Sequence, residues 1–208
     1  MHVGYERIAM TVRHNWLAWA NIVIKIALVG LLLYAVSNQD MPQFSGKAMT
    51  GRALTYPIAI LIVPITWWLL RRSGRSYAYP HLVDALVALP FLVDTAGNAL
   101  NLYDTINWWD DFNHFLNWVF LTSALGALLI RTSLNRWAIA GLIIGFGSVM
   151  GVLWELAEYF TFVRNSPELA TAYTDTLGDL TLDTAGAIVA AVIALLILRR
   201  QESAAAGT

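Results

Sequence analysis

Six stretches of about 20 mainly apolar residues follow one another along this chain, and their recurrence restricts the fold more than any other feature. A helix rising about 1.5 Å per residue needs about 20 such residues to cross a hydrocarbon core of about 30 Å. The stretches lie at roughly 15–36, 53–70, 82–102, 112–130, 137–162 and 177–198. They predict an all-α, polytopic bundle of six transmembrane helices. Composition agrees: 58% of residues are hydrophobic and only 13% charged, with a mean hydropathy of +0.57, outside the range of soluble domains.

The connections between spans are short, so residues 1–198 read as one six-helix domain and 199–208 as a short polar cytoplasmic tail. The first span follows Arg7 and Arg13 as a signal sequence would. Its apolar stretch is too long for a signal-peptide core and no small-residue cleavage pattern ends it, so it reads as a retained helix. Orientation follows from Lys and Arg. Arg7, Arg13, Arg71, Arg72, Arg75, Arg131, Arg136, Arg199 and Arg200, nine in all, fall on the side of the termini, against three, Lys47, Arg52 and Arg164, on the other. The positive-inside rule then places both termini in the cytoplasm. Trp108 and Trp109 fall at the outer interface and Trp16 at the inner one.

With that orientation the acidic residues acquire a depth. The third span carries Asp94, Asn98 and Asn101 at i, i+4 and i+7 in its outer half, on one face. The segment NWWDDFNHFLNW, 107–118, opens the fourth span with Asp110 and His114 at i, i+4, beside Asp111 and above Asn117. The fifth brings Glu155 and Glu158 to its outer end, and the sixth descends with Asp175, Asp179 and Asp183 stepping by four. Only Asp84, near the inner surface, breaks the pattern. A carboxylate at the centre of a spanning helix costs roughly 2.5–3.5 kcal/mol, less toward the interface, and such groups are usually interior-facing, paired and functional. Several on neighbouring helices repel one another unless protonated, hydrogen-bonded or bridged by a cation. Lys25 and Arg164 are the only basic residues read as near, which leaves a divalent cation as the economical solution.

Without cysteine the chain has no disulfide or thiolate ligand, so its chemistry must come from oxygen and imidazole groups. That set suits Mg, Mn, Zn or Fe. Asp110, His114, Glu155 and Asp179 are the expected ligands, with Glu158 or Asp183 as general base. Plainer readings stand beside these. Asp111 could be the N-cap of the fourth span and Asp175 or Thr176 that of the sixth. Glu158 could face water, and His114 could be a hydrogen-bonded core residue. Asp94, Glu155, Asp179 and Asp183 could merely cross-link helices through Asn98, Asn101 and Trp indoles. Lys25 reads as an ion-pair partner or a snorkelling side chain, and His2, His14 and His81 as interfacial residues.

Gly141, Gly145, Gly147 and Gly151 form two GxxxG spacings in the fifth span, allowing close backbone approach. Pro57, Pro64 and Pro90 are expected kinks. VDTAGNAL at 93–100 echoes LDTAGAIV at 182–189, a similarity too short to establish duplication.

WDDFNHF at 109–115, WELAEYF at 154–160 and DTLGDLTLDTAGA at 175–187 resemble three signatures of the YjdF-type bacterial inner-membrane proteins, a family of unknown function. That pattern has an Asp one turn before a His, then Glu-x-x-Glu among aromatics, then Asp-Thr-x-x-Asp with Gly-Ala seven residues on. Here the matching residues are Asp110 and His114, Glu155 and Glu158, and Asp175, Asp179, Gly186 and Ala187, over roughly 80–198. More distantly, the last block is similar to VanZ-like proteins, in which Asn stands where this chain has Asp183. The resemblance implies a bacterial cytoplasmic membrane and no particular reaction.

Three functions are open. A metal-dependent hydrolase or transferase would act at the outer leaflet on a membrane lipid, lipid-linked or amphipathic substrate. A cation- or proton-coupled transporter would use Asp84, Asp94 and Lys25 as a route. A non-catalytic binding or scaffold protein would use the same groups to hold helices together. A net charge of −1 gives no reason to expect a nucleic-acid partner, and no Ser/His/Asp arrangement, phosphate loop or HExxH motif is present.

Overall fold

The computed structural model describes residues 2–75, 77–161 and 163–206, the side chains of residues 2–15, 168 and 206 excepted. The side chains of His2, Arg7, Arg13 and His14 therefore lie outside the described residues. The long helices are α1 (His2–Ser37), α2 (Met49–Arg72), α3 (His81–Ala99), α5 (Trp109–Leu129), α6 (Arg136–Thr161) and α7 (Ala172–Ala206), with a one-turn α4 (Leu102–Thr105) between α3 and α5. Among the described residues there is no strand, and the six long helices are each long and apolar enough to span a bilayer. The protein is an all-α integral membrane protein with six candidate spans.

Apart from the first helix, which already begins at His2, two boundaries depart clearly from the sequence reading. The final helix starts at Ala172 and runs through the polar tail to Ala206. At the other departure α3 stops at Ala99, where Leu100 donates its N–H to the Ala96 carbonyl, and Asn101 turns left-handed at φ 58°. Asn tolerates that conformation better than most residues. Asn101 therefore does not extend the helical face of Asp94 and Asn98. The chain instead folds into α4, which brings Tyr103 back over the end of α3.

The helices form two groups of three. Helix α3 packs against α1 and α2, and α7 against both α5 and α6, while the α3–α5 contact joins the groups. Leu28, Leu32, Tyr56, Ile60 and Ala88 make up the first core; Ile139, Ala140, Ile143, Ala190, Ala191 and Ala194 make up the second. Large apolar side chains such as Ile26, Ile58, Ile62, Val149, Leu153 and Leu196 point outward. In water such a surface would promote association; around a membrane bundle it is the face that lipid solvates.

Small residues set how closely the second group packs. A Cβ on Gly147 would collide with that of Ala187, and one on Gly151 would lie 2.7 Å from an Asp183 carboxylate oxygen. On Gly186 it would lie 2.6 Å from the Phe115 carbonyl of α5. By contrast, Gly141 and Gly145 have open space around them. Only one of the two GxxxG spacings lies in the α6–α7 seam. Helices α2 and α3 continue through Pro57, Pro64 and Pro90.

Candidate functional site

The centre of the site is His114, on the second turn of α5. Its ring is clamped between carboxylates of two other helices. Nδ1 lies 3.0 Å from Asp183 Oδ1 and 3.9 Å from Glu155 Oε1, and Nε2 lies 3.8 Å from Asp179 Oδ1. These four residues are buried, with exposures of 6% for His114, 8% for Glu155, 3% for Asp179 and 0% for Asp183. The four-residue step from Asp179 to Asp183 puts both carboxylates on the α7 face that meets α5. Gly151 provides the room for Asp183, and Gly186 lets the α5 backbone approach α7. An ionised Asp183 can only accept, so with that carboxylate the bond at Nδ1 puts a proton on that nitrogen, while Nε2 faces Asp179.

Two overlapping triplets surround this ring. Asp110, His114 and Asp179 each offer one ligand atom within 4.8 Å of the others, as do His114, Glu155 and Glu158. Asp110 is at the exposed rim, Glu158 is half-buried and the rest face inward. Thr176 donates to Glu155 Oε2 at 3.1 Å, whereas Glu155 Oε1 and Asp183 Oδ2 are buried without a hydrogen-bond partner. Buried carboxylate oxygens without donors are costly. An oxygen-rich cluster around one imidazole could satisfy them by holding a divalent ion.

Asp94 belongs to a neighbouring network. It is ion-paired with Arg52 of α2 and accepts from Tyr56 at 2.6 Å, Tyr103 at 2.9 Å and Asn98 at 3.4 Å. Asn117 donates to Asn113 at 2.9 Å, and Asn113 to Tyr103, so a hydrogen-bonded ladder runs from α5 through α4 to α3. Burial, followed by the charges of Asp94 and Asp110, pushes the Tyr103 hydroxyl well above its ordinary range, so it remains a donor. Asp94 thus cross-links helices, though through Arg and Tyr and not the Trp indoles expected.

Lys25 lies apart from this end. Its ammonium contacts both Asp84 oxygens, at 2.7 and 2.6 Å, and Asn21 and Tyr79 donate to the same carboxylate. Lys25 is therefore the counter-charge of Asp84, the one acid that broke the sequence pattern. Arg164 is exposed, its guanidinium over the Phe160 ring at 5.7 Å. The cation near the acids is Arg52, which a count of loop charges had set aside.

The remaining expectations are resolved by where the helices begin. Trp108 occupies the N-cap of α5, so Asp110 and Asp111 sit in its first turn and not at the cap. Because α7 starts at Ala172, Asp175 and Thr176 are likewise inside it. There the acidic groups complement the helix dipole, and Asp111 and Asp175 are exposed. Asn101 keeps a buried side-chain oxygen without a partner but joins neither network. Tyr56, Tyr103 and Asn113 escaped the sequence reading, which took Arg52 only as an outer-side charge and Thr176 only as a possible cap. For Arg52 and Tyr56 a signal existed, a cation and a phenol at i, i+4 inside an apolar helix.

A cavity of about 270 Å³ adjoins both networks. It is lined by Ala48, Gly51, Arg52, Thr55 and Tyr56 on one side and Trp154, Ala157, Glu158 and Thr161 on the other. Glu158 thereby connects the His114 cluster to open space.

Comparison with curated proteins and with solved structures yields no match to this chain. Residues 19–200 match the model of the family described as predicted membrane protein (DUF2238), and the protein belongs to that family.

Proposed function

We propose that this protein is a divalent-metal-dependent membrane hydrolase or transferase acting on a lipid-linked or amphipathic substrate. The observation that carries the reading is the environment of His114: one ring nitrogen bound to a fully buried Asp183, the other facing Asp179, with Asp110, Glu155 and Glu158 around them. A carboxylate that orients a ligating imidazole through its second nitrogen is a recurrent arrangement at metal centres. Asp110, His114 Nε2 and Asp179 would hold the ion, with Glu155 at its edge. A bound divalent ion supplies charge to polarise a phosphoryl or carbonyl oxygen and to acidify water.

In this reading Asp183 has a different part from the base expected of it. Its hydrogen bond to Nδ1 makes it a positioning residue. Glu158 is the better placed base, because it touches both the cluster and the cavity through which a substrate would arrive. The likeness of the three motifs to YjdF-type proteins, and of the last to VanZ-like proteins, supports a bacterial cytoplasmic membrane, and the count of Lys and Arg supports a site on its outer face. Against transport stands the inner acid, Asp84, which is saturated by Lys25, Asn21 and Tyr79.

The test is elemental analysis of the purified chain together with titration of the stripped protein with Mn and Zn. Wild type should hold about one ion per chain, the count a single His-centred site accommodates, and His114→Ala should lose it. Asp183→Asn should retain a site weakened roughly 10- to 100-fold, as loss of a supporting carboxylate does elsewhere. Metal content that is below half an ion per chain and identical in wild type and H114A would refute the reading.

A further inference from the structure

The cavity between α2 and α6 has a more specific chemistry than a general opening to lipid. Gly51, Arg52, Thr55 and Tyr56 form one helical stripe, and Trp154, Ala157, Glu158 and Thr161 form the stripe opposite. Each stripe alternates small residues, Gly51 and Thr55 or Ala157 and Thr161, with large ones. Together they border about 270 Å³ of space, with one cation and one anion on facing walls. Arg52 lies three residues after the start of α2 and Glu158 three before the end of α6. Each is therefore roughly 4–5 Å in from its helix end, the depth at which lipid headgroups meet the acyl region.

The cation is also held in place. Arg52 donates to the Lys47 carbonyl at 3.1 Å and to Tyr56 at 3.1 Å, and is ion-paired with Asp94. Its guanidinium is thus pre-oriented, with 16% of the side chain accessible. Beside the cavity, Leu54, Ile58, Leu61, Leu153, Leu156 and Phe160 face outward and provide an apolar track for acyl chains.

We infer that this cavity seats the phosphoethanolamine headgroup of a membrane lipid, its phosphate toward Arg52 and its primary ammonium toward Glu158. A phosphatidylglycerol headgroup offers Glu158 only neutral hydroxyls and no cation. A choline headgroup carries the positive charge but no N–H to donate. Only the step from bound lipid to substrate rests on the metal-centre reading; the binding follows from the cavity itself.

The full chain, reconstituted in nanodiscs of equal phosphatidylethanolamine, phosphatidylglycerol and phosphatidylcholine, is released and its retained lipids are identified by native mass spectrometry. Metal is counted on the same samples. Wild type should retain phosphatidylethanolamine roughly fivefold over either competitor, the factor given by about 1 kcal/mol. Gly51→Phe and Ala157→Phe, from opposite walls, should abolish that preference. A Cβ on Gly51 meets only Ala48, at 3.9 Å, so the fold can accept the first of them. Glu158→Gln should bring phosphatidylglycerol level with phosphatidylethanolamine. Equal retention of the three lipids by wild type overturns the inference, as does a preference unchanged in both filled variants. Selective, cavity-dependent lipid without metal upholds the seat and removes the enzyme reading; metal with unselective lipid does the reverse.

Discussion

Arg52 shows how a single residue can be misjudged from sequence and yet organise a region. Near the start of a span it reads as an interfacial loop charge, because snorkelling is the ordinary fate of a cation at a helix end. In the fold, α4 and α3 bring Tyr103 and Asp94 to it, and both Arg52 and Asp94 are largely removed from solvent. Arg52→Met should therefore destabilise the protein by about 3–5 kcal/mol, the usual cost of leaving a buried charge without its partner. Combining it with Asp94→Asn should recover most of the loss, because the amide carries no charge, its oxygen still accepts from one of the two tyrosines and its NH2 can donate to the other hydroxyl. Thermal unfolding in detergent checks this, and equal melting temperatures for wild type and R52M would contradict it. Asp110, His114, Glu155, Asp179 and Asp183 were legible in the sequence because an acid inside an apolar helix is costly wherever it appears. Their particular partners were not, since those depend on which helices are neighbours.

At the level of helices, the six spans were legible to within a few residues because apolar length alone defines them. Their ends were less so. Asn101 ends the α3 region through its own left-handed backbone, and α7 continues past the hydrocarbon-length stretch, neither of which hydropathy encodes. Glycine spacing also carried only half its information: four glycines in α6 satisfy the same pattern, but two face α7 or its Asp183 and two face open space. Gly141→Leu and Gly145→Leu should accordingly leave yield and melting unchanged, their side chains pointing into lipid. Gly147→Leu and Gly186→Leu should prevent a folded, monodisperse product, because Ala187 and the α5 backbone occupy the required volume. Size-exclusion profiles of the four variants decide the matter. Loss of folded protein in the first pair would show that α6 meets another helix on its outer face.

For the molecule as a whole, function depends on which side of the membrane the His114 cluster faces, and the distribution of charge supplies the argument. The connection after α3 and the N-terminal turns of α2 and α5 share one end, tied by Lys47–Asp104 at 2.7 Å and by Arg52–Asp94. That end carries few cations and most of the acids. The opposite end collects Arg71, Arg72, Arg75, Arg131, Arg136, Arg199 and Arg200, and cationic loops are retained in the cytoplasm. The absence of native cysteine makes the orientation directly measurable. Thr105→Cys, exposed in α4, should react with a membrane-impermeant maleimide in intact cells. Ser203→Cys, exposed on the last turns of α7, should react only after lysis. The reverse pattern would move the cluster to the cytoplasmic face, where its lipid would have to come from the inner leaflet. A chelator confined to the outside should then fail to strip the metal, whereas with the orientation argued from charge it should remove the ion from intact spheroplasts.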